Sequence, residues 1–405
     1  MSSLSIIHYF NPGHETAVLN ASKHYHPPAH VAKMQADLAF LPAWYASEGD
    51  FVLTGASLPD DFILSVEPLQ LSVNQSTPSD MASNREMFRH SVVDLWGISP
   101  QSIHFFEKLS EQWNLSLAIP QWKEELRFLG SRFASQKIVA ELLNCIPAME
   151  KEILPVFVSD IEAIENRIAQ SREKHLLKSP YSSSGRGLVW LPPAGTPAQS
   201  ERQIIGGMLK KQGQVSIEKV LEKRIDFSMQ FAVETQGETR FVGYSIFQTD
   251  AKGAYEKSRL ARQEWMERQL TRLIDADVLL QTQQALIETL QEMVAPHYKG
   301  IIGIDMMVYR SGDSFRLHPC VEMNMRKNMG YLAIRLAEKY LHPRSQGEFC
   351  IEYNRNPQMI ATKHRQMQMQ HPLVIEDKRI RSGYLSLCPV TGATNYQAYA
   401  VVTNL

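Results

Sequence analysis

Asp305 lies in the apolar run GIIGIDMMVY, and Glu322 and Asn324 lie in HPCVEMNMR, with a Ser-Gly-Asp-Ser turn between the two runs. If Arg310 faces Phe315 across that turn, Asp305 falls opposite Cys320, and the period-two alternation of strand side chains puts Glu322 and Asn324 on the same face. Two carboxylates sharing a sheet face repel unless a cation neutralises them, and an all-oxygen donor set suits Mg²⁺ bridging to substrate phosphates. A solvent-exposed hairpin with scattered charges is the other reading. Against it stand Ile304, Met306, Val321 and Met323, whose apolar side chains ask for a covered opposite face. Arg326 follows Asn324 by two and keeps to the same face if the strand continues, where a guanidinium suits phosphate oxygens.

A second constellation joins Lys178 to the stretch Ser182, Ser183, Ser184, Gly185, Arg186 and Gly187. Small residues let backbone N–H groups turn toward a phosphate chain, and a lysine at a strand end adds a point charge. An ordinary hairpin turn beside a surface lysine reads equally well from these residues alone. A Walker A loop is excluded, because no G-x-x-x-x-G-K-[ST] occurs.

The elements that must position these groups follow from periodicity. LSIIHYF, NPGHET and AVLNAS read as strand, turn and helix, with further first-lobe strands in DFVLTG and VVDLWGIS. FASQKIVAELLN reads as a helix, and HLLKSPYSSSGRGLVWLP as a hairpin with the small-residue loop at its tip. VSIEKVLEK, DFSMQFAVE and TRFVGYSIFQT add strands, a long amphipathic helix covers about 276–295, and RSGYLSLCPVTGATNYQAYAVV closes the chain as a hairpin. The second half is therefore expected to be rich in antiparallel strands.

Composition narrows the class. The 405 residues exceed one ordinary core, and 44% hydrophobic with 21% charged residues fits neither disorder nor a fibre. Lys+Arg 42 against Asp+Glu 43 leaves a net charge of -1, so neither nucleic acid nor an anionic membrane is an expected partner. The N-terminus has no basic region and no stretch approaches a membrane span. Cys145, Cys320, Cys350 and Cys388 are scattered without CxxC spacing, which fits a reducing cytoplasm.

With these residues in view, VEMNMR resembles the E-x-N-x-R strand of ATP-grasp enzymes, GIDMMVY their preceding G-x-D strand, LLKSPYSSSGRGLVWL their phosphate loop, and IEKVLEK their adenine hinge. Order and spacing match over about 130–330. The resemblance implies an α/β plus α+β molecule: an ATP-grasp fold behind an N-terminal Rossmann-like, pre-ATP-grasp lobe. It assigns 1–115 to that lobe, 116–205 to a small lobe with the phosphate loop, 206–345 to a large lobe with the metal hairpin, and 346–405 to a C-terminal extension.

The same resemblance implies roles. Lys137 and Lys178 would be the two nucleotide lysines, and Glu218, Lys219, Val220 and Leu221 the hinge meeting the adenine edge. Asp226 would take the ribose hydroxyls, with Glu222 as its competitor. Asp305, Glu322 and Asn324 would hold one or two Mg²⁺, with Mn²⁺ as a substitute, and Arg326 and Lys178 would serve catalysis. The implied activity is ADP-forming, ATP-dependent activation of a carboxylate for capture by an amine or similar nucleophile. An amino acid, peptide or other small metabolite would be the substrate, and a homodimer is compatible. A small-molecule kinase and a non-enzymatic nucleotide-binding protein are the rivals.

Beside this core, His14 and Glu15 in NPGHET either grip an acceptor substrate or simply open a helix. His24, His26 and His30 around Pro27-Pro28 read as surface histidines, and Lys257 and Arg259 as secondary candidates for phosphate or substrate contacts.

Overall fold

The computed structural model describes residues 5–182, 187–193, 195–250 and 253–404, which divide into two compact units. The first comprises Met1–Lys123, Glu256–Met266 and Arg326–Leu405; the second comprises Glu124–Tyr255 and Glu267–Met325.

The first unit opens as the strand-turn-helix pattern requires. Ile6–Tyr9 pairs in parallel with Phe51–Leu53 and Val92–Leu95, and Asn74–Ser76 completes a four-stranded sheet. Ile7, Val93 and Leu95 pack with Phe106, Leu109 and Trp113 of the helix Pro100–Trp113. That helix is opened by Ser99, whose Oγ accepts from the Ser102 N–H at 3.2 Å while Ser102 Oγ receives the Ser99 N–H, a reciprocal cap contributing about 1 kcal/mol. It stops at Asn114, which adopts φ 50°.

The residues after 345 do not form a separate extension. Ser345–Tyr353, Arg379–Ser386 and Tyr396–Asn404 pair antiparallel with one another and with Tyr255–Leu260. The closing hairpin expected around PVTGAT is thus present, and QMQMQ lies in the helix Pro357–Gln370. The alternating apolar residues of these strands, among them Phe349, Ala398, Ala400 and Val402, are buried, which ties the segment into the first unit's core.

The second unit holds two antiparallel sheets. One has the order Val156–Val158, Val215–Lys219, His175–Lys178, Leu188–Leu191 and packs Leu177, Val189, Val215 and Ile217 against Ile164, Ile168 and Ile205 of two helices. In the other, the order is Ser314–Asn324, Gly300–Ser311, Glu222–Val233, Thr239–Thr249. The amphipathic helix Ala276–Met293 turns Leu279, Leu286 and Leu290 inward and packs on the helix Arg132–Cys145.

The hairpin formed by Gly300–Ser311 and Ser314–Asn324 has one feature that straight alternation misses. Arg310 does face Phe315, as expected, but Asp305 faces Glu322 rather than Cys320. Met307 pairs with His318, so Pro319, Cys320 and Val321 together oppose Met306 alone in a β-bulge. Pro319 has no N–H to give to the ladder, which is why the irregularity sits there.

Candidate nucleotide and metal site

The larger sheet of the second unit provides a floor. His318, Met307, Asp226 and Phe247 form one row across its strands, and Glu322, Asp305, Ser228 and Ser245 form the next. Directly opposed residues share a face, so both rows project to the same side. His318, Met307, Asp226, Phe247, Asp305 and Glu322 all line a cavity of about 250 Å³. Ile153, Leu176, Val220 and Leu221 supply apolar walls to it, and Lys178, Glu218 and Arg132 supply charge.

Asp305, Glu322 and Asn324 share one face despite the bulge. Asn324 donates from Nδ2 to Asp305 Oδ2 at 2.9 Å, and Glu322 Oε2 accepts from Arg132 at 2.9 Å. Among the described residues no group of three His, Cys, Asp or Glu side chains forms a ready metal cage. Two carboxylates and an amide oxygen fit Mg²⁺ in the manner of a site completed by phosphate and water oxygens.

Lys178 ends its strand nearly buried, with Nζ 2.5 Å from Glu218 Oε2. Burial would raise the Glu218 carboxyl, but the Lys178 ammonium, with the Arg132 charge adding to it, holds the group below its usual range. Asp226 receives Lys223 Nζ at 2.5 Å and Thr249 Oγ1 at 3.2 Å. Its competitor Glu222 is exposed and sits 3.5 Å from Arg310.

Of the expected phosphate loop, Ser183, Ser184, Gly185 and Arg186 lie outside the described residues. Ser182 Oγ is 3.5 Å from Arg132, and Gly187 adopts φ 71° with Ser179 so close that a Cβ would meet its Oγ at 2.9 Å. A glycine is therefore required at that turn.

Lys137 departs from expectation: it is exposed and does not line the cavity. Arg132 does line it, and five residues at roughly 100° each carry Lys137 well round the helix from the face Arg132 uses. The sequence signal for Arg132 was its place just after Ser131, in the first helical turn, where a long cation reaches beyond the helix end.

His318 was also not anticipated. It is 4% exposed, its Nδ1 has no hydrogen-bond partner, and burial together with the Lys178 charge pushes its pKa down to about 4. A neutral imidazole thus lines the cavity with one ring nitrogen unpaired.

The strand carrying Asn324 ends with that residue, before the chain reaches Arg326, the first residue of the first unit's last segment, so the expected continuation of its alternation fails. Arg326 donates instead from Nε to Glu15, and from NH1 to the Lys327 carbonyl at 3.1 Å. Burial alone would raise Glu15, but Arg326 keeps it below its usual range. His14 is buried with its pKa lowered, and its Nε2 lies 3.0 Å from the Ile98 carbonyl. Gly97 packs directly on the His14 ring, where any Cβ would collide at 2.5 Å. Lys257 and Arg259 are engaged with Glu348, at 2.9 and 3.2 Å.

No family model and no curated protein matches the sequence. Solved structures do match. A β-γ-ATP complex of biotin carboxylase from Campylobacter jejuni gives a TM-score of 0.52 at 12% identity, covering 99% of this chain and 88% of that one. The chain shares the overall fold of that structure, the ATP-grasp fold. A pyruvate carboxylase variant from Rhizobium etli, with acetyl coenzyme-A, gives 0.51 at 10% identity over 100% of this chain and 36% of its own. N5-carboxyaminoimidazole synthetase from Staphylococcus aureus, complexed with ADP, gives 0.49 at 12% identity, with 99% and 94% covered. Among the described residues, no helix is long and apolar enough to cross a membrane.

Proposed function

We propose that this protein is an ADP-forming, ATP-dependent ligase that activates a small-molecule carboxylate as an acyl phosphate and passes the acyl group to an amine or similar nucleophile. The observation that carries the reading is the Asp305–Glu322 pair facing the cavity that also holds Lys178 and Arg132. Arg132 answers the charge of Glu322 alone, and a metal triphosphate between these acids and the basic residues would balance the site as a whole.

Lys178 would sit against the phosphates, Val220 and Leu221 would meet the adenine, and Asp226 the ribose. Asp305, Glu322 and Asn324 would hold Mg²⁺, or Mn²⁺ in its place, and the bound metal would neutralise phosphate charge. The substrate carboxylate oxygen attacks the γ-phosphorus and the bond to the β-phosphate oxygen breaks, releasing ADP. The nucleophile then attacks the acyl carbon, inorganic phosphate leaves with the electron pair, and the nucleophile's proton passes to solvent. For Arg326, two residues past Asn324 in the chain, the charge-stabilising role implied by the resemblance is part of the proposal. The substrates are small molecules and the setting is the cytoplasm.

Hydroxylamine tests the reading. Screening amino acids and dipeptides for ADP release should find a carboxylate that yields a hydroxamate when hydroxylamine is present. AMP with pyrophosphate would replace the acyl phosphate with an adenylate, and a stable phosphorylated alcohol would make the protein a kinase.

A further inference from the structure

The first unit contains a second cavity, of about 710 Å³, that the ligase reading does not use. Its walls come from the helix Asp60–Val66, the helix Pro357–Gln370, the strand Arg379–Ser386 and the turn around Thr391. Asp61 contributes a carboxylate and Arg365 a guanidinium, while Phe62, Leu373 and Val390 are apolar.

Behind the polar wall runs a buried relay. Gln397, 1% exposed, donates from Nε2 to the Tyr384 hydroxyl, which lies 2.7 Å from His364 Nδ1. Burial lowers the His364 pKa and the Asp61 charge only partly opposes this, so the imidazole is neutral near pH 7. With the Tyr384 hydroxyl donating to Nδ1, the ring proton resides on Nε2, leaving a donor for the cavity that His364 lines.

We propose that this cavity is a second small-molecule site, for a zwitterion of the amino-acid or short-peptide class. The charges select the ligand: Asp61 takes an ammonium, Arg365 and the His364 Nε2–H take a carboxylate, and Phe62, Leu373 and Val390 take an apolar side chain. A nucleotide is disfavoured, since one guanidinium beside a carboxylate cannot balance a polyphosphate. The inference is independent of the nucleotide reading, because every residue it uses belongs to the first unit.

The test is calorimetry on the full chain with L-leucine, leucyl-leucine, N-acetyl-L-leucine and L-leucinamide. One zwitterion should bind one-to-one with a Kd near or below about 1 mM. Both capped forms should bind about tenfold more weakly, and Asp61→Asn and Arg365→Ala should each cost about tenfold while ATP binding stays unchanged. Both substitutions fall on exposed side chains, so folding is retained and thermal melting checks it. Leucine binding best would assign a free amino acid, and leucyl-leucine binding best a short peptide. Absence of saturable heat with either at about 10 mM, equal binding of the capped forms, or unaltered binding in both variants would overturn the proposal.

Discussion

Lys178 Nζ sits 2.5 Å from Glu218 Oε2, on the neighbouring strand of the smaller sheet, with both side chains nearly buried. Removing one member of such a pair leaves an uncompensated charge, so Lys178→Ala should destabilise the protein by roughly 3–5 kcal/mol in urea unfolding. The double variant Lys178→Met with Glu218→Gln should recover most of that loss yet still bind ATP poorly in calorimetry. Recovery of ATP affinity in the double variant would mean that Lys178 serves only to neutralise Glu218.

Glu322 answers to two charges, the Arg132 guanidinium at 2.9 Å and the metal it is proposed to hold. Glu322→Gln keeps an oxygen for Arg132 but loses the anionic ligand. The expected outcome is a near-native melting temperature with Mg²⁺-dependent ADP release down about 100-fold or more, since even outer-sphere partners of metals cost 10–100-fold. Full activity at unchanged Mg²⁺ demand would remove Glu322 from the metal set.

The buried neutral His318 makes a prediction in pH. Its folded value of about 4 lies below the ordinary 6.5, so between the two the unfolded chain binds the extra proton. The stability it supports is present above about 6.5 and is lost as pH falls toward 4. Between pH 7 and 5 this amounts to about 2 kcal/mol. Urea unfolding of His318→Gln should show a pH 7-to-5 loss smaller by that amount, and an identical loss in both proteins would show that the imidazole titrates in the folded state.

Much of this site was legible in the chain. Lys178, Glu218, Asp226, Asp305 and Glu322 line one cavity because their spacing on strands fixes which face each takes. What escaped depended on long-range geometry. The register of Asp305 needed knowledge of a bulge at Pro319, the placement of Arg132 rather than Lys137 against the cavity needed the helix phase against the sheet, and the Arg326–Glu15 pair joins residues far apart in sequence. The second cavity, built from Asp61 and from residues beyond 360, has no local motif at all.

Arg326 and Glu15 allow a further separation. Arg326→Ala would strand a buried carboxylate and confuse folding with chemistry, whereas Arg326→Lys keeps the charge and loses the planar fork. We expect Arg326→Lys to fold normally and to lower kcat by at least about tenfold with little change in the ATP KM, the pattern of an interaction made in the transition state. A raised KM at constant kcat would assign Arg326 to ground-state binding.

The bulge at Pro319 has a parity. Between Met307 and Asp305 the chain advances by an even step on one strand and, from His318 to Glu322, by a different even step on the other. Because an odd change alone inverts which face a strand residue takes, a one-residue deletion within Pro319–Val321 would turn Glu322 and Asn324 away from Asp305, while a two-residue deletion would leave all three together. Length variation in this hairpin is thus tolerated in twos, and a spacing-based motif that counts residues from Asp305 to Glu322 reads as different two chains whose ligands meet in the same place.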